Sequence, residues 1–246
     1  MRRLFCTSQP PHVASYIPIQ RMEEFCPAPI GLIVASILIY AEHMALLNPT
    51  RRISEAEYLE MESAADFKSE FYDGEMFAMS GGTRWHSIIT SNLNRELGNC
   101  LEGRGCIVFD SNMRVKVEAT GLYTYPDASI TCEEQRYLEG ETDTLLNPAF
   151  IAEVLSDSTE RYDRGEKFVH YQKIPSLTEL LFVNQHTPRL ELFVRQKAGT
   201  WVLHQAAGLE AKLISPTLGI TLNLARIYAN VEFEPRLAKD PNQRPR

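Results

Sequence analysis

The segment Phe150–Leu155, FIAEVL, constrains the fold more than any other stretch of the chain. It is a nearly continuous apolar run without the polar alternation of a half-wetted strand, so it reads as a strand in the middle of a sheet, covered on both faces. Such a strand needs a layer of structure on each side. Glu153 interrupts the run. Because strand side chains alternate, Glu153 shares a face with Ile151 and Leu155. An ionised carboxylate on an apolar face is costly unless it is paired or binds a metal. The competing possibility, a solvent-facing edge position, is weakened by those two apolar neighbours.

The surrounding pattern supplies the layers. Thr83 to Leu101 reads as a helix, with Ile89, Leu93, Leu97 and Leu101 four apart and Gly103 and Gly105 ending it. Ser54 and Glu57 form a capping-box signature for an earlier helix. FYDGEMFAM, Phe71 to Met79, reads as a hairpin about the Asp73-Gly74 turn. Strands are expected at Cys106–Phe109, Met113–Val117, Ala128–Cys132, Leu177–Val183, Leu190–Val194 and Trp201–His204. A loop and helix between Ser156 and Pro175 complete the series. The expected fold is a mixed sheet flanked by helices, of the α/β or α+β class.

The first 43 residues differ in texture, with five prolines and no amphipathic period. We expect an extension over 1–43, disordered or upstream of a natural start at Met44, a domain over 44–233 and a frayed tail over 234–246. The apolar stretch Ile30–Ala41 is shorter than the roughly 20 residues a membrane span needs. A cytoplasmic protein without a membrane partner is expected. Five cysteines, an odd number with no CxxC pair, argue for buried or free thiols rather than a disulfide framework or a zinc site. The net charge of −7 argues against a generally basic coat for nucleic acid, while leaving room for a local basic groove.

Asp127 follows Pro126 at the start of a strand, where proline is tolerated because it donates to no ladder. Alone it is an ordinary Pro-Asp turn. Beside Glu153 on a neighbouring strand it would present oxygen to one hard cation, magnesium or manganese. Asp163, Lys167 and Tyr171 fall four apart on one helix face. That face is either an exposed ion pair of little worth or a lysine aimed back at the acids. His86, in the first turn of its helix, is either a polar helix-start residue or a phosphate or metal contact. Glu70 and Glu75 flank the hairpin turn, and either is a possible third carboxylate. The phosphate-loop, dinucleotide, zinc-protease and serine-hydrolase signatures are all missing.

EFYDGEM, the WHS of the first long helix, YPDASI, and above all NPAFIAEVLSDSTERYDRGEKFVHYQKIPSLTELLFVNQ resemble the Uma-two family of PD-(D/E)xK restriction-endonuclease-like proteins. The resemblance covers about residues 50 to 233, and the EVLSDST…YDRGEKF…Y block is its most specific part. It implies a restriction-endonuclease-like mixed β-sheet with a helix on each side. It makes Asp127 the motif aspartate and Glu153 the motif acid. The position usually held by lysine is Leu155 here, and the resemblance moves that role to Lys167 on the following helix. Glu75 and His86 match recurrent family positions with supporting roles. The implied activity is magnesium- or manganese-dependent endonuclease cleavage of DNA, the metal held by Asp127, Glu153 and the main-chain carbonyl of Val154. A homodimer is an expected assembly. The alternatives are an inactive nuclease-fold module that binds nucleic acid or a protein, and a purely structural ion-pair network. Carboxylates of Asp127 and Glu153 within metal-sharing distance, open to a basic cleft, would favour the enzyme, and a Lys167 pointing to solvent would remove the argument for a moved lysine.

Overall fold

Hydrophobic alternation along short strands, interrupted by one strongly amphipathic helix, folds residues 52–79 and 81–233 of this computed structural model into two larger sheets, a two-stranded sheet and their covering helices. The expectations for 1–43 and 234–246, and for the natural start, lie outside the described residues. In chain order the elements begin with α1 (Glu55–Ala64), the hairpin β1 (Ser69–Tyr72) and β2 (Glu75–Ala78), α2 (Arg84–Leu101) and β3 (Ile107–Asp110). There follow β4 (Arg114–Val117), β5 (Leu122–Thr124), β6 (Ala128–Thr131), β7 (Thr144–Leu145) and β8 (Phe150–Leu155). After β8 come α3 (Glu160–Tyr162), a π-helical turn (Asp163–Lys167) and α4 (Phe168–Tyr171) without a break. The chain ends with β9 (Glu179–Asn184), β10 (Arg189–Arg195), β11 (Trp201–Ala207), β12 (Lys212–Ser215), β13 (Ile220–Asn223) and α5 (Leu224–Ile227).

The larger sheet has the strand order β11-β10-β9-β8-β6-β3, so β8 is interior, as its sequence requires. Only β8 and β9 in this sheet run parallel. The smaller sheet has the order β2-β1-β5-β4-β7. The fold class is therefore the expected mixed sheet flanked by helices, with extra strands toward the C-terminus.

The alternation of β8 divides the core. Phe150, Ala152 and Val154 point to one side, where Ile89, Leu93 and Leu97 of α2 are fully buried against them. Ile151 and Leu155 point to the other, toward Tyr171, Ile174 and the smaller sheet's Val115, Val117 and Leu122. Each such buried aliphatic side chain contributes about 1.5–3 kcal/mol through removal from water. A third cluster stacks Tyr58 of α1 on Phe71, with ring centroids 4.8 Å apart. It fixes the hairpin against α1.

Local chemistry sets the element ends. Ser54 and Glu57 make the reciprocal capping box of α1. Asp73 and Gly74 both adopt positive φ, 49° and 81°, as a two-residue hairpin turn demands.

One expectation is corrected. The cysteines were expected to be thiols, yet Cys106 and Cys132 form a disulfide. The cause is register: Ile107 pairs with Thr131, so the next positions outward, 106 and 132, face each other across the β3–β6 ladder. A separation of 26 residues hides that proximity in the sequence. Cys100 remains unpaired in any disulfide.

None of the helices among the described residues is long and apolar enough to cross a membrane.

Candidate active site

Asp127 stands one residue before β6, and the β6–β8 register pairs Ala128 with Ala152. Extending that register by one step sets Asp127 directly opposite Glu153, with both side chains on the same face. Val154 donates its backbone N–H to Asp127 Oδ2 at 2.7 Å, which locks the aspartate over the end of β8. The two acids therefore line one cavity of about 570 Å³. They are recessed: Asp127 is 8% and Glu153 5% exposed.

Lys167 is turned inward, 4% exposed, and not toward solvent. Its Nζ lies 2.9 Å from Glu153 Oε1, 2.9 Å from Glu70 Oε1 and 3.5 Å from Asp163 Oδ1. The π turn carries both Asp163 and Lys167; such turns re-aim side chains and recur at functional sites. Tyr171, one helical turn on, donates its hydroxyl to Glu153 Oε1 at 2.6 Å. Glu70 also accepts a short hydrogen bond from the Thr124 hydroxyl. Burial works against the Lys167 ammonium, but Glu153, Tyr171, Glu70 and Asp163 outweigh it and hold its pKa well above the ordinary lysine value. For Glu153 burial dominates: it pushes the carboxyl up to about 8 despite the pull of Lys167.

His86 reaches the same acids from the start of α2. Its backbone N–H donates to the Thr83 side chain that caps the helix, which places it in the first turn. Its Nε2 lies 3.3 Å from Asp127 Oδ2. Burial disfavours the imidazolium, yet Asp127, Glu153 and the Val154 backbone together raise its pKa. The approach depends on Gly82: a Cβ there would fall 2.7 Å from His86 Nδ1.

The structure thus brings together Asp127, Glu153, Lys167 and His86, with Val154 engaged through its N–H. It does not bring in Glu75. That residue is exposed beside the hairpin turn, and Glu70, two residues deeper on the partner strand, is the carboxylate that meets Lys167. Asp163 and Tyr171 join the cluster as well; their shared face with Lys167 was readable, but its direction was not. The cleft is acidic rather than basic.

The donor chemistry fits a hard divalent cation. The hydrogen bonds engage Asp127 Oδ2 and Glu153 Oε1, whereas Asp127 Oδ1 and Glu153 Oε2 make none among the described residues. No cluster of three or more acids, histidines or cysteines suited to a metal occurs among the described residues. The pair suits an ion that keeps much of its water, as magnesium does, and not a fully protein-caged one.

The Glu153 shift has a consequence for stability. Its folded pKa lies above its unfolded value, so the folded chain keeps a proton that the unfolded chain releases. That contribution is complete below about pH 4.5 and is lost as pH rises through about 8. His86 and Asp163 are shifted in the same direction. In EDTA, the urea midpoint should fall across this window, and Glu153→Gln should flatten most of the fall. An unchanged slope in the variant would contradict the assignment.

A family profile, Uma2, described as "Putative restriction endonuclease", matches residues 55–225. Two uncharacterised proteins of Synechocystis sp. are each 34% identical to the chain. One match spans 188 residues, 75% of this chain and 96% of that protein; the other spans 170 residues, 69% and 96%. Among solved structures, "a putative nuclease belonging to DUF820" from Anabaena variabilis superposes with a TM-score of 0.58 at 16% identity. The alignment covers 72% of this chain and 97% of that one, and it speaks for the fold alone.

Proposed function

The chain belongs to the Uma2 family, and from that footing we propose that it is a divalent-metal-dependent endonuclease that hydrolyses phosphodiester bonds in DNA. The observation that carries the reading is the Asp127–Glu153 pair. Two carboxylates face each other across neighbouring strands, each with one oxygen unengaged, at the floor of a cavity whose lysine touches one of them.

Asp127 and Glu153 would hold magnesium or manganese, with the Val154 main-chain carbonyl beside them. When bound, that ion supplies Lewis acidity toward a phosphoryl oxygen and a more acidic water. The chain's own residues do the rest. The Val154 N–H keeps Asp127 oriented, and Tyr171 and Lys167 keep Glu153 oriented. Lys167 remains charged and offers its ammonium to developing negative charge. His86, its Nε2 3.3 Å from Asp127 Oδ2, is placed to donate a proton near the cavity floor. The recess keeps bulk water away from these groups, which strengthens each electrostatic contact.

A second reading has one observation in its favour. Three carboxylates already surround Lys167, so the cluster is held together without a cation, as an inactive nuclease-fold binding module would allow. The deciding experiment is incubation of the full chain with plasmid DNA in magnesium, manganese or EDTA. Cutting that requires the metal is expected. No cutting, together with no calorimetric binding of either metal, would overturn the nuclease reading in favour of the module.

A further inference from the structure

We propose that Gln185 is a positioning residue for His86: it anchors the first turn of α2 to the end of β9 and thereby fixes the imidazole against Asp127. The consequence for rate rests on the nuclease reading, whereas the consequence for where His86 stands does not.

Apolar packing holds α2 to the sheet, but it begins late. The first fully buried side chain of the helix is Ile89, more than a turn beyond the cap at Thr83. Thr83 and Arg84 are exposed, and Trp85 and His86 are half-buried. The chain enters this turn through Gly81 and Gly82, and glycine has the most backbone freedom to lose. A stiffer residue at 82 is barred, because its Cβ would crowd the His86 ring. Polar contacts therefore have to hold the turn in place.

Among the described residues, two side-chain polar contacts join this turn to the strand ends. One is the approach of His86 to Asp127 itself. The other runs from Thr83 to Gln185, 102 residues further along the chain: the Thr83 hydroxyl donates to Gln185 Oε1 at 3.0 Å. The same oxygen accepts the His86 backbone N–H at 3.1 Å. The hydroxyl's only proton is thus directed at Gln185, which leaves a lone pair for the cap. One atom carries both the tether and the cap, and the residue that the cap grips is His86.

Gln185 is suited to be the fixed end of that tether. It directly follows β9, lines the cavity and is 4% exposed. The backbone on either side of it is pinned. Asn184 Oδ1 accepts the N–H groups of His186 and Thr187, and Tyr228 donates its hydroxyl to the Asn184 carbonyl. A buried amide is costly without partners, so Gln185 Oε1 gains from keeping the Thr83 hydroxyl. Reacting groups must be held within about 0.5 Å of a productive geometry, and supports with locked positions of their own achieve this.

The test uses the full chain and four variants: Gln185→Leu, similar in size but without the acceptor, Thr83→Val, without the hydroxyl, the two combined, and Thr83→Ser, which restores the hydroxyl. Nuclear magnetic resonance of the ¹⁵N-labelled chain, at one fixed pH in EDTA, reads the His86 ring directly. Its signals should move toward those of a freely solvated histidine in Gln185→Leu and Thr83→Val, and Thr83→Ser should recover most of the shift. Plasmid cleavage in magnesium should lose about ten-fold in kcat in Gln185→Leu, with KM within about two-fold, because a displaced group costs rate and not ground-state binding. The combined variant should match Thr83→Val within about two-fold, since Gln185 acts through that hydroxyl. Thr83 is exposed, so Thr83→Val tests the link even if Gln185→Leu fails to fold. His86 signals unmoved in the variants, or rate losses that multiply in the combined variant, overturn the proposal. Wild-type cutting that Gln185→Leu leaves unchanged keeps the nuclease and removes this inference. A wild type that does not cut removes the nuclease, and the His86 signals then decide the inference alone.

Discussion

Asp127→Ala and Glu153→Ala should each lower magnesium-dependent cleavage by on the order of 10³-fold, the scale expected when a preorganised charge-stabilising contact is lost. Both deletions also break native contacts. Asp127→Ala strands the Val154 N–H that bonds to it, and Glu153→Ala removes the acceptor of Tyr171 and a partner of Lys167. Alanine variants alone would confuse lost catalysis with a loosened fold. Asp127→Asn separates the two, because an amide oxygen still accepts from Val154 while the charge is gone. Cleavage rate and urea midpoint measured together should show Asp127→Asn near wild-type stability and near the alanine variant in rate. If Asp127→Asn kept more than about a tenth of the rate, the carboxylate would not be the group that matters.

Lys167→Met should cost about 3–5 kcal/mol of stability, the range for removing one partner from a buried charge cluster. Glu70, Glu153 and Asp163 would then face one another without a cation, in a site from which water is largely excluded. The methionine retains much of the lysine stem's bulk, so the loss reports charge more than volume. The variant should recover toward wild type on acidification, since protonated carboxyls need no cation. Lys167→Arg should not restore the neutral-pH stability, because a planar fork does not fill the place of a compact ammonium with three donors. A loss under about 1 kcal/mol at neutral pH would mean that the acids are protonated or hydrated at little cost.

Much of this was readable in the chain. FIAEVL fixes an interior strand, and its alternation puts Glu153 on the face of Ile151 and Leu155, where it lies. The Asp73-Gly74 turn fixes the hairpin register down to Tyr72 opposite Glu75. What register does not give is depth. Glu70 and Glu75 occupy the same face of that hairpin, but Glu75 sits at its tip. Two strand residues, about 7 Å, bring Glu70 over the lysine. Likewise, spacing by four groups Asp163, Lys167 and Tyr171 without saying which way the group points, and a π turn leaves no mark in composition. Of the smaller sheet, the β1–β2 hairpin and β4 were legible, while β5 and β7, with only three and two residues, are too short for a period to register. The β12–β13 hairpin was missed because Leu213 and Ile214 are adjacent apolar residues, although Ile214 faces solvent, so β12 shows no alternation in its sequence.

The parallel pairing of β8 with β9 obliges the chain to cross back over the sheet between them. That crossover carries Asp163, Lys167 and Tyr171. During synthesis from the N-terminus, Glu70 and Glu153 both leave the ribosome before the lysine that neutralises them. Until residue 167 has emerged, burying these two acids has no compensating cation, so a truncated nascent chain has reason to keep this face open. The domain can close over its acids only once the strand-returning segment has arrived, and the order of translation thereby sets the order in which the two halves of the core become dry.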